Sequence, residues 1–312
     1  MRSYFIQADF KADFSVAWFG ASALLHGANP YALVGPGKIY DWEWPLLYPV
    51  TALVPVIPFT IFSEQTAALV FIWLSTFLLA WGVTAKSWHL LPIFASEAFA
   101  SSARLAQWSI FMTAALYIPL LACLAVVKPP AALPVLAATR SQLALLAALA
   151  GTALLTAASF ALFPAWPTAW LSNLATAPYM VAPITRLGGI FVLLVLLRWR
   201  RPEAWLVLVL ACMPQTWGWY NVLLLLTVAA TFREACALVV ISSLGAFFCD
   251  FFLEGESVAS VSAIMVATAY LPAALVVLRR PNEGAGPGWM IFLRRLASSS
   301  LAVANGARRS QA

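Results

Sequence analysis

Residues 13–49 read DFSVAWFGASALLHGANPYALVGPGKIYDWEWPLLYP, and they stand apart from the rest of the chain. Nearly everything that follows is apolar, whereas this stretch carries carboxylates, a histidine, a lysine and several aromatic rings. Charged groups in apolar surroundings are costly unless they are paired, so a collection of them in one place indicates a local purpose. The stretch thus divides the chain into a polar first part and a long apolar remainder.

The composition of the whole chain indicates an integral membrane protein. Of its 312 residues, 63% are hydrophobic and 10% are charged, whereas a soluble domain has about 25% charged residues. Period-two alternation is absent, which argues against a membrane barrel. The net charge of +6 comes from short basic clusters between apolar runs. That arrangement is typical of cytoplasmic loops and does not indicate a nucleic-acid partner.

Apolar runs of about 20 residues recur, which is the length that spans a bilayer as a helix. The sequence therefore predicts an all-α polytopic membrane protein with about eight to nine transmembrane helices, several of them short or broken. The predicted segments are Leu46–Phe62, Thr66–Ala85, Leu90–Ser102, Trp108–Val127, Leu143–Phe163, Ile184–Leu197, Ala204–Thr231, Ala235–Phe252 and Val258–Leu278. Breaks are expected at Pro119 and at Pro214–Gly218, where the second break makes the segment enter the membrane and return.

Three regions are predicted along the chain. Residues 1–45 form an external loop with a surface helix at Phe14–His26, residues 46–280 form the transmembrane domain, and residues 281–312 form a cytoplasmic tail that includes a possible amphipathic surface helix. Charge asymmetry sets the orientation. It assigns to the cytoplasm Lys128, Arg140, Arg198–Arg201, Arg233, Arg279, Arg280, Arg294 and Arg295, and to the outside Asp9, Asp13, Asp41, Glu43, Asp250, Glu254 and Glu256.

Several polar residues are candidates for chemistry, each with a plainer alternative. Asp13 is either a solvated carboxylate that caps the helix at Phe14 or a reactive base. His26 is either a helix-end histidine bonded to a backbone carbonyl or part of a site. Gln107 follows Arg104 closely, so the two could be an interfacial pair that reaches toward lipid headgroups.

Arg186 lies inside an apolar run, where a cation predicts an anionic partner such as a phosphate, or else extension to the outer headgroups. The sequence has no Gly-rich phosphate loop, no HExxH and no GxSxG motif, and its four cysteines have no metal-ligand spacing. We therefore expect no metal and no cofactor. Any catalysis would rest on a carboxylate base and on cationic contacts to phosphate.

Five short motifs resemble one family when taken in order. They are Asp13-Phe-Ser-Val-Ala-Trp18, Gly27-Ala-Asn-Pro-Tyr31, Tyr48-Pro49, Ala106-Gln107 and Lys128-Pro129, with further likeness at Arg198–Pro202 and at Pro214-Gln215. This series resembles the GT-C superfamily of glycosyltransferases, most closely the polyprenyl-phosphate-mannose type of glycosyltransferase family 87. Ala106 stands where that family has glycine. Unlike most members, the chain is short and has no span ahead of the Asp13 loop, so we expect an upstream helix or a translocated N-terminus.

The resemblance implies a GT-C-like fold and an inverting transferase in the bacterial inner membrane. Such an enzyme moves a mannose-like hexose or a pentose from a polyprenyl-phosphate donor to a lipid or glycan acceptor on the outer face, without a bound metal. The resemblance makes Asp13 the candidate general base. The candidate substrate-binding residues are Trp18, Tyr31 and Gln107 from the motifs, and His26 and Arg186 from their positions.

Two other functions remain open. A non-catalytic membrane protein, such as a transporter or flippase subunit for a lipid-linked sugar, would bind the same ligand in the same place without reacting. An O-antigen ligase-like enzyme is a weaker alternative, because the large late external loop of such ligases is missing here.

Overall fold

The structure, a computed structural model, describes residues 12–176, 180–216, 218–253 and 258–291. All regular elements in these ranges are helical, and β-type pairing is limited there to two isolated bridges, Val34 with Tyr40 and Val181 with Gln215. The prediction of an all-α membrane protein is confirmed for this part of the chain. Asp9, Glu254, Glu256, Arg294, Arg295 and the predicted tail helix lie outside the described residues.

The α-helices of the described part are α1 (Asp13–Leu25), α2 (Pro30–Leu33), α3 (Val50–Leu53), α4 (Glu64–Lys86), α5 (Glu97–Arg104), α6 (Trp108–Ala114), α7 (Pro129–Ala138), α8 (Gln142–Leu162), α9 (Trp166–Ala175), α10 (Pro202–Cys212), α11 (Leu223–Leu226), α12 (Phe232–Phe252), α13 (Val258–Met265) and α14 (Leu271–Leu278). The 3-10 helices are Val54–Ile61, Trp88–Ala95, Pro119–Val127, Pro183–Thr185, Gly189–Arg198 and Trp219–Val222, and a π-helical turn at Val266–Tyr270 joins α13 to α14.

Four helices are long and apolar enough to cross a membrane: α4, α8, α12 and the continuous segment Ala259–Leu278. Each coincides with a predicted span. The other apolar runs form shorter pieces, such as α3 followed by the 3-10 helix Val54–Ile61. Proline removes a backbone donor and clashes with the preceding turn, and Pro55 and Pro58 explain this interruption. The count of eight to nine spans stays a prediction.

Helix α1 is largely buried against the rest of the protein, and its predicted place at the membrane surface stays a prediction. Phe14 is 1% exposed, and its ring stacks on Phe71 of α4 at a centroid distance of 4.6 Å. Gly20 lets α1 approach Leu53, since a Cβ at this position would stand 3.0 Å from the leucine methyl groups. Apolar residues occupy most of the helix surface, and they pack against α4 and the 46–61 segment.

The helices give the molecule two distinct ends. Gln107 and Tyr117 lie at opposite ends of the stretch that contains α6. Gln107 contacts Asp13, and the carbonyl oxygen of Tyr117 accepts a hydrogen bond from Lys86. Helix α4 ends at Lys86 and, at 1.5 Å per residue, covers about 35 Å. We call the two ends the Asp13 end and the basic end, because several basic residues collect at the second.

The basic end comprises Lys86, Arg140, Arg198, Arg201 and Arg280. The Arg198 side chain donates to the carbonyl oxygen of Leu278 at 2.9 Å, and that of Arg201 to Pro281 at 2.6 Å. Lys86, Arg140 and Arg280 line one cavity. The prediction that Arg140, Arg198, Arg201 and Arg280 share one side agrees with this grouping.

The segment that follows Arg201 enters and returns, as predicted. Glu203 at its start and Thr227 at its end line the same cavity at the basic end. Tyr220, near the turn between them, lies under the ammonium of Lys128 at 4.6 Å. The break near Pro214 therefore reverses the chain within the protein.

Lys128 is the exception to the charge prediction, because it lies at the Asp13 end. The chain runs from Gln107 through α6 to Tyr117, returns through Pro119–Val127, and leaves again through α7 toward Arg140. Lys128 occupies the reversal between the last two segments and contacts Gln107. The assignment of Lys128 to the cytoplasmic side and Asp13 to the outside is therefore wrong, since one side chain contacts both.

Candidate functional site

Asp13 is the first residue of α1 and is fixed by its backbone as well as its side chain. Its N–H donates to the carbonyl oxygen of Leu105 at 3.0 Å. Ala12 is the N-cap residue, and no side chain caps the helix. The capping interpretation of Asp13 is therefore wrong. Its carboxylate instead accepts a hydrogen bond from the amide nitrogen of Gln107.

Gln107 follows a tight turn that aims it at α1. Ala106 has a φ of +48°, the left-handed conformation that glycine adopts at least cost. The backbone N–H of Gln107 then donates to Ser102 at 2.8 Å. The Gln107 side chain is 1% exposed, so it does not reach to headgroups beside Arg104. Arg104 pairs with Glu97 instead.

Lys128 completes a row of three side chains. Its ammonium donates to the amide oxygen of Gln107 and lies over the Tyr220 ring. The ammonium has only donors and the carboxylate only acceptors. The Gln107 amide can therefore satisfy both in one orientation alone, with its NH₂ toward Asp13 and its oxygen toward Lys128. We call Asp13, Gln107 and Lys128 the triad.

Three tyrosines surround the triad or support it. The hydroxyl of Tyr31 donates to the backbone carbonyl of Tyr48 at 3.1 Å. The negative charge of Asp13 adds to burial in raising the pKa of both Tyr48 and Tyr220, which indicates that both rings lie close to it. The hydroxyls of Tyr220 and Thr216 are 2.5 Å apart. Tyr31 therefore holds the backbone at Tyr48.

Burial and pairing oppose each other at the two charged groups. Loss of solvation raises the pKa of Asp13, while Lys128 and the Gln107 hydrogen bond partly lower it again. Burial lowers the pKa of Lys128 to about 8, against the attraction of Asp13. Both charged groups remain partly exposed. These shifts bring the proton affinity of the base and of the cation closer to the neutral range, as acid–base chemistry requires.

The structure does not bring the other candidate residues to the triad. Trp18 stands five residues after Asp13, about 140° away around the helix, and its indole N–H donates to Phe59 at 3.3 Å. His26 is exposed, with Nδ1 2.8 Å from the Ser22 carbonyl oxygen. The helix-end interpretation of His26 is thus confirmed. Arg186 lies in the turn after Pro183–Thr185, which packs against α10 and Gly189–Arg198.

Sequence reasoning missed Lys128, Tyr48 and Tyr220 as site residues. Lys128 was assigned to a cytoplasmic loop, although the Lys-Pro motif named it. The Tyr-Pro motif includes Tyr48 but does not indicate a role for it in the site. Nothing in the sequence marks Tyr220, because only the return of its hairpin brings it to Lys128.

The fold and the triad define the chain as an all-α membrane protein with a charged site assembled from three separate segments. Comparison with protein-family models, with curated proteins and with solved structures finds no match to this chain. A group of three or more metal-ligating side chains is not found within the described residues.

Proposed function

We propose that the protein is a glycosyltransferase of the GT-C type that uses a polyprenyl-phosphate sugar as donor. One observation carries the proposal. Asp13, Gln107 and Lys128 belong to three separate motifs of the resemblance, and hydrogen bonds join their side chains. Motifs that matched by chance would have no reason to meet in space.

Asp13 has the position of a general base. Its carboxylate takes the proton of the acceptor hydroxyl while the acceptor oxygen forms a bond to the anomeric carbon of the sugar. The bond from that carbon to the phosphate oxygen breaks on the opposite side, and the electron pair leaves with the polyprenyl phosphate. Attack opposite the leaving group inverts the anomeric configuration.

Lys128 has the charge that the departing phosphate needs. A cation aimed at developing negative charge stabilises the transition state more than the ground state. The Lys128 ammonium has three donors, of which Gln107 takes one. We therefore assign the phosphate contact to Lys128 and not to Arg186, whose segment packs elsewhere.

The distribution of charge supports an orientation for the enzyme. Four arginines and Lys86 collect at the basic end, and basic residues favour the cytoplasmic side. The Asp13 end then faces the outside of the bacterial inner membrane, with the four long apolar helices crossing it. The lipid or glycan acceptor would approach from that side.

A second function has its own supporting observation. The charges of Asp13 and Lys128 compensate each other through Gln107, so the triad is complete without any reaction. A transporter or flippase subunit for a lipid-linked sugar would need no more than such a site to bind the phosphate and the sugar hydroxyls.

Purified protein and a radiolabelled polyprenyl-phosphate mannose distinguish the two functions. A transferase releases polyprenyl phosphate and moves the label to an acceptor from a membrane extract, and it stops doing so when Asp13→Asn removes the base. A binding protein retains the labelled donor unchanged in both forms. Donor binding without transfer by the unaltered protein, under a range of acceptors and sugars, would contradict the enzymatic proposal.

A further inference from the structure

A cavity of about 490 Å³ opens at the basic end, far from the triad. It lies where α4 ends at Lys86 and where Arg280 follows α14, so it stands at the ends of two candidate spans. The charged residues that line it are Lys86, Arg140, Glu203 and Arg280. Cations and one carboxylate therefore face a shared space at the ends of two candidate spans.

Two of the cations are suited to an anion. Lys86 donates to the Tyr117 carbonyl oxygen at 2.6 Å, which leaves two of its three donors. Arg140 is exposed at the mouth of the cavity. Arg280, in contrast, is engaged by the carbonyl of Val228 at 2.8 Å and by Glu234 at 3.0 Å. Lys86 and Arg140 are therefore the groups that a phosphate would meet.

Glu203 supplies a carboxylate to the same cavity. Its Oε2 atom is buried and has no hydrogen-bond partner among the described residues. Glu203 lies in the first turn of α10, where the helix dipole favours a carboxylate. The helix dipole stabilises the negative charge of Glu203, but no hydrogen-bond donor among the described residues reaches its Oε2 atom. The Glu203 carboxylate lines the cavity together with the two cations, so a ligand that brings an N–H cation of its own would compensate its charge.

The remaining walls of the cavity are apolar. Leu90, Leu116 and Leu206 line it beside the charged groups. Apolar walls next to two cations suit a molecule with a charged head and a hydrocarbon part, and the ends of two candidate spans lie beside the opening.

We propose that this cavity binds a phospholipid headgroup that carries both a phosphate and a primary ammonium, the chemistry of phosphoethanolamine. The phosphate lies beside Lys86 and Arg140, and the ammonium pairs with the Glu203 carboxylate where it lines the cavity. A choline headgroup carries the same charges but has no N–H to donate. A glycerol headgroup has no cation for Glu203.

Lipid binding to the full-length protein in detergent tests the proposal, with native mass spectrometry as readout. Phosphatidylethanolamine should bind about tenfold more tightly than phosphatidylcholine of the same chains, which corresponds to about 1.4 kcal/mol, because only the primary ammonium can donate a hydrogen bond to the carboxylate. Glu203→Gln should bring that ratio close to one. Glu283→Gln, an exposed carboxylate at the same end, should leave it unchanged.

Arg140→Gln should weaken both lipids, because the phosphate is common to them. A preference for phosphatidylethanolamine that survives Glu203→Gln in protein with an unaltered unfolding temperature would overturn the assignment. Water-soluble phosphoethanolamine is added as a competitor to separate the two sources of this chemistry. Displacement of the lipid at equal concentration would show a soluble ligand and overturn the lipid proposal.

Discussion

Lys128 and Asp13 are joined through a single side chain, the amide of Gln107, which accepts from the first and donates to the second. The three residues come from three chain segments: the start of α1, the turn before α6 and the reversal before α7. The amide forms one hydrogen bond with each charged group and stands between them. In the proposed function, a phosphate reaches Lys128 without displacing Asp13 from its position.

The first prediction concerns the bridge itself. Gln107→Leu keeps a similar volume and removes both hydrogen bonds, which leaves two partly exposed charges without their shared partner. We expect a loss of about 1–3 kcal/mol in the free energy of unfolding, measured by denaturant titration in detergent. Ser159→Ala is the matched control, because it removes one buried hydrogen bond in α8, away from the triad. A Gln107→Leu protein as stable as the unaltered one would show that the bridge contributes nothing.

The second prediction is a pH dependence of transfer. Asp13 must be ionised to accept a proton, so the rate should fall on the acid side through its raised pKa. Lys128 must be protonated to meet the phosphate, so the rate should fall again above its pKa of about 8. Lys128→Arg keeps the charge up to high pH and should remove the alkaline limb of a pH–rate profile. An unchanged alkaline limb in this variant would exclude Lys128 as its origin.

The third prediction concerns Ala106. A left-handed conformation costs a residue with a Cβ about 1–2 kcal/mol, and glycine avoids this cost at the expense of about 0.5–1 kcal/mol in backbone entropy. Ala106→Gly should therefore stabilise the protein by up to about 1 kcal/mol. Ala103→Gly, in the regular part of α5, should destabilise it. Calorimetry on both variants checks the opposite signs, and destabilisation by both would argue against the turn geometry.

The fourth prediction concerns orientation. Ile39 at the Asp13 end is 87% exposed, and Glu283 at the basic end is exposed as well. In a background without the four native cysteines, Ile39→Cys should react with an impermeant maleimide in intact cells, whereas Glu283→Cys should react only after permeabilisation. The reverse pattern would place the triad in the cytoplasm and remove access to an external acceptor.

The sequence predicted the long helices well for a simple physical reason. Apolar length alone identifies α4, α8 and α12, because each must cover the bilayer by itself. The interrupted segments were harder. Proline indicates a break, as at Pro119, but it does not tell which neighbour the next piece will contact.

The site was only partly predictable for a related reason. Asp13 and Gln107 were found through motifs, whereas Lys128 was misplaced because counting basic residues treats every lysine as solvated. Its pairing with Asp13 through Gln107 depends on two chain reversals that no local pattern reveals. Trp18 is close to Asp13 in sequence, but its indole N–H bonds to Phe59 and not to the triad, and its role in substrate binding stays a prediction.

The central claim is that Asp13 is the base for sugar transfer, and the rate of a single turnover tests it most directly. Purified protein loaded with polyprenyl-phosphate mannose is mixed with acceptor, and the loss of donor is followed for the Asp13→Asn and Asp41→Asn variants. Asp41 is an exposed carboxylate in the same stretch, bonded to the N–H of Gly37. We predict a rate about 10²–10⁴-fold lower for Asp13→Asn, with unchanged donor affinity, and a nearly normal rate for Asp41→Asn. Equal rates for Asp13→Asn and the unaltered protein would contradict the claim.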